Sequence, residues 1–159
     1  MRVPNVFAAS LTFAIYLMSG AANATPPVPQ VIHIHAAEIG KFASSGLELP
    51  KAFVLDVNGN ILLDGKVDLP AKDVLSAARS ANSKPAIHNS TPGITSVLID
   101  HALPPPYSAP VIVMFSASES WHKCIGCDAY NDKLLEAAEG SATNANWVHV
   151  ILEKNDYKP

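Results

Sequence analysis

The chain has few cysteines and little positive charge. Its 159 residues include 11 Lys and Arg against 14 Asp and Glu, which gives a formal net charge of −3, and only two cysteines. The basic residues form no stripe of the kind that contacts phosphates or anionic lipid, so we expect no nucleic-acid partner. Charge therefore says little about function, and the cysteine pair carries most of the chemical information.

No apolar run is long enough for a membrane span, and the one at the start of the chain is typical of a secretory signal peptide. Arg2 precedes an apolar stretch at residues 6–18, and Ala22-Asn23-Ala24 is a small-x-small cleavage pattern. We expect cleavage after Ala24, leaving residues 25–159 as one periplasmic or secreted domain with no membrane span. An uncleaved anchor is the alternative. An exported chain meets oxidising conditions, in which a disulfide persists.

Apolar periodicity and turn residues predict an α/β domain. Asn58-Gly59 between two β-rich runs predicts a hairpin, and the continuous apolar run at 111–115 favours a strand buried on both faces. Strands are predicted at 30–35, 52–57, 61–64, 111–115 and 146–153, and helices at 36–45, 68–82 (capped by Asp68 or Leu69), 94–103 and 124–138. Residues 83–93 have the composition of a linker.

The two cysteines stand as Cys124-Ile125-Gly126-Cys127 between the buried strand and a helix. The stretch VIVMFSASESWHKCIGC resembles the thioredoxin fold family, in which such a pair opens the helix after a central strand. The resemblance implies a three-layer sandwich with a mixed sheet of about four to five strands flanked by helices. It also implies a thiol–disulfide oxidoreductase or isomerase without a cofactor, acting on cysteine-containing exported proteins and served by an unidentified redox partner.

Helix electrostatics suggest separate roles for the two thiols. Cys124 is expected at the helix N-terminus, with His122 and Lys123 adding positive charge that favours its thiolate, so it is predicted to be the nucleophile. Cys127, one turn further on, is predicted to resolve the mixed disulfide. Trp121 is a supporting residue, although it lies three positions before Cys124 rather than next to it. Met114 stands where cytosolic thioredoxins carry a buried acid.

The family's second half is expected upstream of the pair, in circularly permuted order. Residues 31–82 resemble that half, with Pro50 in the place of its cis-proline, and residues 94–153 resemble the cysteine-bearing half. The resemblance therefore implies that Pro50 lies against the pair with a carbonyl that can bond an extended substrate. A truncated half completed by a partner chain is the rival interpretation.

Two other uses of the cysteine pair are open. A thioredoxin-like module of a secretion or conjugation assembly would carry the pair as a structural disulfide only. Cys124, Cys127 and two histidines from among His33, His35 and His122 could in principle form a tetrahedral zinc site. Alternating histidines on a strand are more often plain polar residues, and we expect no metal. His149 belongs to no visible constellation.

Overall fold

The computed structural model describes residues 27–35, 37–38, 48–64, 68–81, 93–118 and 124–154. Its elements in chain order are β1 (Gln30–His35), β2 (Ala52–Leu55), β3 (Ile61–Asp64), α1 (Ala71–Arg79), α2 (Gly93–Asp100), β4 (Val111–Ala117), α3 (Cys127–Ala138) and β5 (Asn146–Glu153). None of the helices in these ranges is long and apolar enough to cross a membrane. The predicted signal peptide, the predicted linker at 83–93 except for Gly93, and the predicted helix at 36–45, apart from a short turn at 37–38, lie outside them.

The strands form one five-stranded mixed sheet in the order β1-β5-β4-β2-β3. The β1–β5 and β4–β5 pairs are parallel, whereas β2 runs antiparallel to both β3 and β4. The upstream hairpin and the cysteine-bearing half therefore share a sheet through the β2–β4 pair. The predicted mixed α/β sheet is confirmed, including its number of strands.

Helices cover both faces of the sheet. On one face, α2 packs Ile94, Val97 and Leu98 against side chains that include Phe53 and Phe115. On the other face, α1 and α3 pack against the alternate residues of the same strands, among them Val54, Ile112, Met114 and Trp147. β4 is buried on both faces, as its continuous apolar run predicts, and the three helices make the molecule a three-layer arrangement.

Asp56 organises the hairpin turn between β2 and β3. Its side-chain carboxylate accepts hydrogen bonds from the backbone N–H groups of Asn58 and Asn60, both at 2.8 Å. Gly59 has a φ of +84°, a conformation that glycine adopts at little cost. Asn58 and Gly59 thus lie in the hairpin turn, as predicted, although β2 ends at Leu55 rather than at residue 57.

All three helices depart from their predicted boundaries; α2 ends at Asp100 rather than at residue 103. α1 is preceded by Pro70, which makes no side-chain cap, so neither Asp68 nor Leu69 caps the helix. The backbone of Asp68 instead has a φ of +59°, and its N–H donates to the carbonyl of Pro50 at 3.2 Å. α3 begins at Cys127 rather than at Cys124. The Leu49–Pro50 bond is cis, as predicted.

Candidate redox site

Cys124 and Cys127 form a disulfide at the start of α3, with their Cα atoms 5.5 Å apart. The two sulfur-bearing residues differ in exposure. Cys124 is partly exposed, whereas Cys127 is 1% exposed within the core. Ile125 between them is 88% exposed. Cys124 is therefore the more exposed half of the disulfide.

Gly126 determines where the helix starts. Its φ of +95° is left-handed, so the residue cannot be part of a right-handed helix, and it acts as the N-cap of α3. The Cys127 N–H approaches the Cys124 carbonyl at 3.4 Å, and the Tyr130 N–H donates to the Gly126 carbonyl at 2.9 Å. The expected position of Cys124 at the first helical residue is therefore wrong. Cys127 occupies that position, and Asp128 adds a negative charge in the same turn.

The buried face of α3 carries two polar side chains just beyond Cys127. The hydroxyl of Tyr130 and the Oδ1 atom of Asn131 are buried and have no hydrogen-bond partner in the described part of the chain. Burial, followed by the negative charge of Asp68, raises the pKa of Tyr130 to about 12. Tyr130 thus remains a neutral phenol. Asp68, whose charge acts on Tyr130, is the same residue whose backbone N–H donates to the Pro50 carbonyl.

Asn131 reaches a histidine on the neighbouring sheet surface. Its Nδ2 lies 3.3 Å from Nε2 of His149 and 3.4 Å from the Phe115 carbonyl, while the hydroxyl of Ser116 lies 2.7 Å from the same His149 Nε2. We call Ser116, Asn131 and His149 the His149 network. Because the amide nitrogen of Asn131 only donates, Nε2 of His149 accepts and the imidazole is neutral.

Burial lowers the pKa of His149, in agreement with this neutral form. The positive charge that His33 can carry acts in the same direction, whereas the negative charge of Asp128 acts against it. Sequence inspection missed this histidine because its partners lie 33 and 18 residues away along the chain. Only the pairing of His149 with Met114 in the β4–β5 register reveals that it lies beside the strand leading to the cysteines.

Pro50 lies close to the carboxyl end of β4. The carbonyl of the next residue, Lys51, accepts a hydrogen bond from the Phe115 N–H at 3.1 Å, and Ala52 pairs with Met114. The Pro50 carbonyl, which we expected to be free for substrate, accepts the Asp68 N–H. A substrate N–H could therefore bond only its second lone pair.

The remaining supporting residues of the prediction, Trp121, His122 and Lys123, lie outside the described residues. Within the described ranges, no group of three or more His, Cys, Asp or Glu side chains is arranged to hold a metal ion. The disulfide engages both sulfurs, and His33 and His35 lie on β1. Among the described residues, the four-ligand zinc site considered from the sequence is not assembled; its other candidate ligand, His122, lies outside them. In comparisons with known proteins, no family model, no curated protein and no solved structure matches this chain.

Proposed function

We propose that this protein is an exported thiol–disulfide oxidoreductase of thioredoxin-like fold with its halves in permuted order. The observation that carries the proposal is the unequal burial of the Cys124–Cys127 disulfide at a strand-to-helix junction. A disulfide that closes a loop of only two intervening residues removes little entropy from the unfolded chain and so adds little to the stability of the fold. Stabilisation alone therefore explains the spacing of the two cysteines poorly. An accessible sulfur bonded to an inaccessible one is what stepwise exchange requires.

In the oxidised state, the pair takes electrons from a substrate dithiol. A substrate thiolate attacks the Sγ atom of Cys124, the bond between the two cysteines breaks, and Cys127 leaves as a thiolate. The second substrate thiolate then attacks the substrate sulfur of the mixed disulfide and releases Cys124. The substrate loses two electrons and two protons, and the protein becomes a dithiol that a separate redox partner reoxidises. The reverse sequence reduces or isomerises substrate disulfides.

The His149 network contacts α3, the helix that begins with Cys127. Cys127 is buried, so its thiolate is poorly solvated and gains a proton readily. Asn131 lies one helical turn after Cys127 and contacts His149, which places an imidazole beside this part of α3. The imidazole is neutral and therefore supplies no positive charge to stabilise the Cys127 thiolate.

A specific observation favours the second candidate, a non-enzymatic module whose disulfide is structural. The Pro50 carbonyl is already bonded to Asp68, and the helix N-terminus lies at Cys127 rather than Cys124. The first feature weakens the expected contact between the Pro50 carbonyl and a substrate. The second weakens the expected stabilisation of the Cys124 thiolate by the helix N-terminus. Such a module would have a low reduction potential and unperturbed thiols.

Turnover with a dithiol peptide separates the two candidates. Cys124→Ser should abolish exchange, and Cys127→Ala should accumulate mixed disulfides through Cys124. His33→Ala and His35→Ala, assayed with a metal chelator present, should leave exchange unchanged. Wild-type protein that exchanges no faster than free cysteine, with a reduction potential well below the glutathione range, would instead support the structural module.

A further inference from the structure

Two histidines share one face of the edge strand β1. His33 and His35 are two residues apart, so both project from the same side of the strand. Ile32 and Ile34 alternate with them and pack into the core, at 7% and 1% exposure. Burial of the isoleucines fixes the direction in which the histidines point. Both histidines are exposed, on the sheet face opposite α2.

Each imidazole is held through its Nδ1 atom. Nδ1 of His33 lies 2.8 Å from Oε1 of Glu153, a carboxylate whose side chain is only 5% exposed. Nδ1 of His35 lies 3.3 Å from the carbonyl oxygen of Lys154. A carboxylate and a carbonyl only accept hydrogen bonds, so Nδ1 carries the proton in both rings. With Nδ1 donating, the nitrogen that can offer a lone pair to a metal ion is Nε2.

The Nε2 atoms have no hydrogen-bond partner among the described residues. An imidazole that donates its Nδ1 proton to a carboxylate or a backbone carbonyl, with Nε2 left as a base, is the usual arrangement of a metal-ligating histidine. The hydrogen bond fixes the tautomer and the ring orientation and makes the other nitrogen more basic. Here the arrangement occurs twice, on neighbouring positions of one face.

We propose that His33 and His35 form a binding site for a divalent transition-metal ion, coordinated by the two Nε2 atoms. No third His, Cys, Asp or Glu of the described residues joins them, so water or a donor from another molecule completes the coordination. An open site with imidazole ligands suits Cu(II) best, because affinities of nitrogen ligands rise along the first-row series to copper and Cu(II) accepts tetragonal geometry. The site does not use the cysteines and is independent of the proposed exchange activity.

Glu153 should strengthen metal binding without touching the metal. Its negative charge lies against the ring of His33 and compensates part of the charge that the ion brings. Loss of such a supporting carboxylate lowers metal affinity by roughly 10- to 100-fold. Glu153→Gln therefore distinguishes a supported site from two histidines that happen to be neighbours.

Titration of the oxidised protein with Cu(II) alone, followed by isothermal calorimetry and by electron paramagnetic resonance, tests the site. We expect one equivalent of Cu(II) with spectroscopic coupling to two imidazole nitrogens. His33→Ala or His35→Ala should leave one coupled nitrogen. Each variant should weaken Cu(II) binding roughly tenfold or more, because the ion loses the second imidazole that the same strand holds next to the first. His101→Ala serves as the control, because Nε2 of His101 faces Glu38 at 3.8 Å, and this variant should still show coupling to two imidazole nitrogens.

Circular dichroism of each variant verifies that the fold is retained. Binding that persists unchanged in the His33→Ala/His35→Ala double variant would overturn the proposal, as would a wild-type dissociation constant weaker than about 1 mM. If Glu153→Gln and wild type bind Cu(II) with equal affinity, Glu153 does not support metal binding. That result would also reject the view that the protein is organised to bind a metal at this position.

Discussion

Replacing Gly59 by alanine should destabilise the protein through two separable effects. The residue has a φ of +84°, which a side chain disfavours. An added Cβ would also lie 2.7 Å from Cγ2 of Thr95 and 3.3 Å from its Oγ1. Thr95 is 1% exposed in α2 and donates from Oγ1 to the Gly59 carbonyl at 2.6 Å, so it cannot move aside freely. The hairpin turn is thus packed directly onto α2.

The two effects have known sizes. Forcing a non-glycine residue into the left-handed region costs about 1–2 kcal/mol. Overpacking a buried contact costs typically about 1–3 kcal/mol. Gly59→Ala should therefore lower the free energy of unfolding by about 2–5 kcal/mol, a large part of the roughly 5–15 kcal/mol that small domains possess.

Gly140→Ala is the matched control. Gly140 also has a positive φ, at +73°, but an added Cβ would meet nothing within 4 Å. Only the conformational cost of about 1–2 kcal/mol applies there. The difference between the two variants measures the contact with Thr95.

Thr95→Ser tests the same contact from the other side. The substitution removes Cγ2 and keeps the hydroxyl that bonds Gly59, at a cost of about 1 kcal/mol for one buried methyl group. In the Gly59→Ala/Thr95→Ser double variant the clash is relieved, so the combined loss should be smaller than the sum of the single losses.

Urea denaturation of the oxidised proteins, followed by circular dichroism, gives the free energy of unfolding of the wild type and of the four variants. Additive losses in the double variant would refute the steric argument. So would a Gly59→Ala variant that is no less stable than Gly140→Ala, since the two differ in the contact and not in the sign of φ.

Three further predictions concern the site. After reduction, Cys124 should be alkylated faster than Cys127, because Cys127 is buried; equal rates in a mass-spectrometric time course would contradict the assignment of nucleophile and resolver. Tyr130→Phe removes a buried hydroxyl without a partner and should leave stability unchanged or raise it by up to about 1 kcal/mol, whereas a loss in urea denaturation would reveal a partner for that hydroxyl. Burial lowers the pKa of His149 below 6.5, so the unfolded chain binds its proton first and stability should fall as pH decreases below that value. His149→Gln should reduce this loss between about pH 7.5 and pH 5.5, and urea midpoints that fall equally in both proteins would contradict it.

Local signals in the sequence were sufficient for the elements of the fold. The apolar run of β4, the Asn58-Gly59 turn and the alternation in β1 each specify one element from neighbouring residues, and all three elements are present. The start of α3 could not be predicted in the same way. Periodicity alone extends the helix back to Cys124, whereas the left-handed conformation of Gly126 makes it begin at Cys127.

The candidate site was predictable only in part. The cysteine pair is a contiguous motif, and Cys127 is buried as the first residue of α3, whereas Cys124 precedes the helix. The His149 network and the anchoring of His33 by Glu153 connect residues that are far apart in the chain, 120 positions in the second case. Such contacts are set by strand order and register, which composition and spacing do not specify.

The position of β5 in the sheet affects how the chain folds during synthesis and what happens when the chain is truncated. Among the described strands, β1 pairs only with β5, and β5 lies between β1 and β4. The sheet formed by these strands therefore stays in two pieces until β5, the last of the described strands along the chain, has been synthesised. A chain ending before residue 146 would lose an interior strand rather than an edge, and would expose the unpaired backbone of β1 and β4 to other chains. Ribosome stalling or proteolysis late in the sequence should thus produce aggregation-prone fragments instead of a slightly smaller domain.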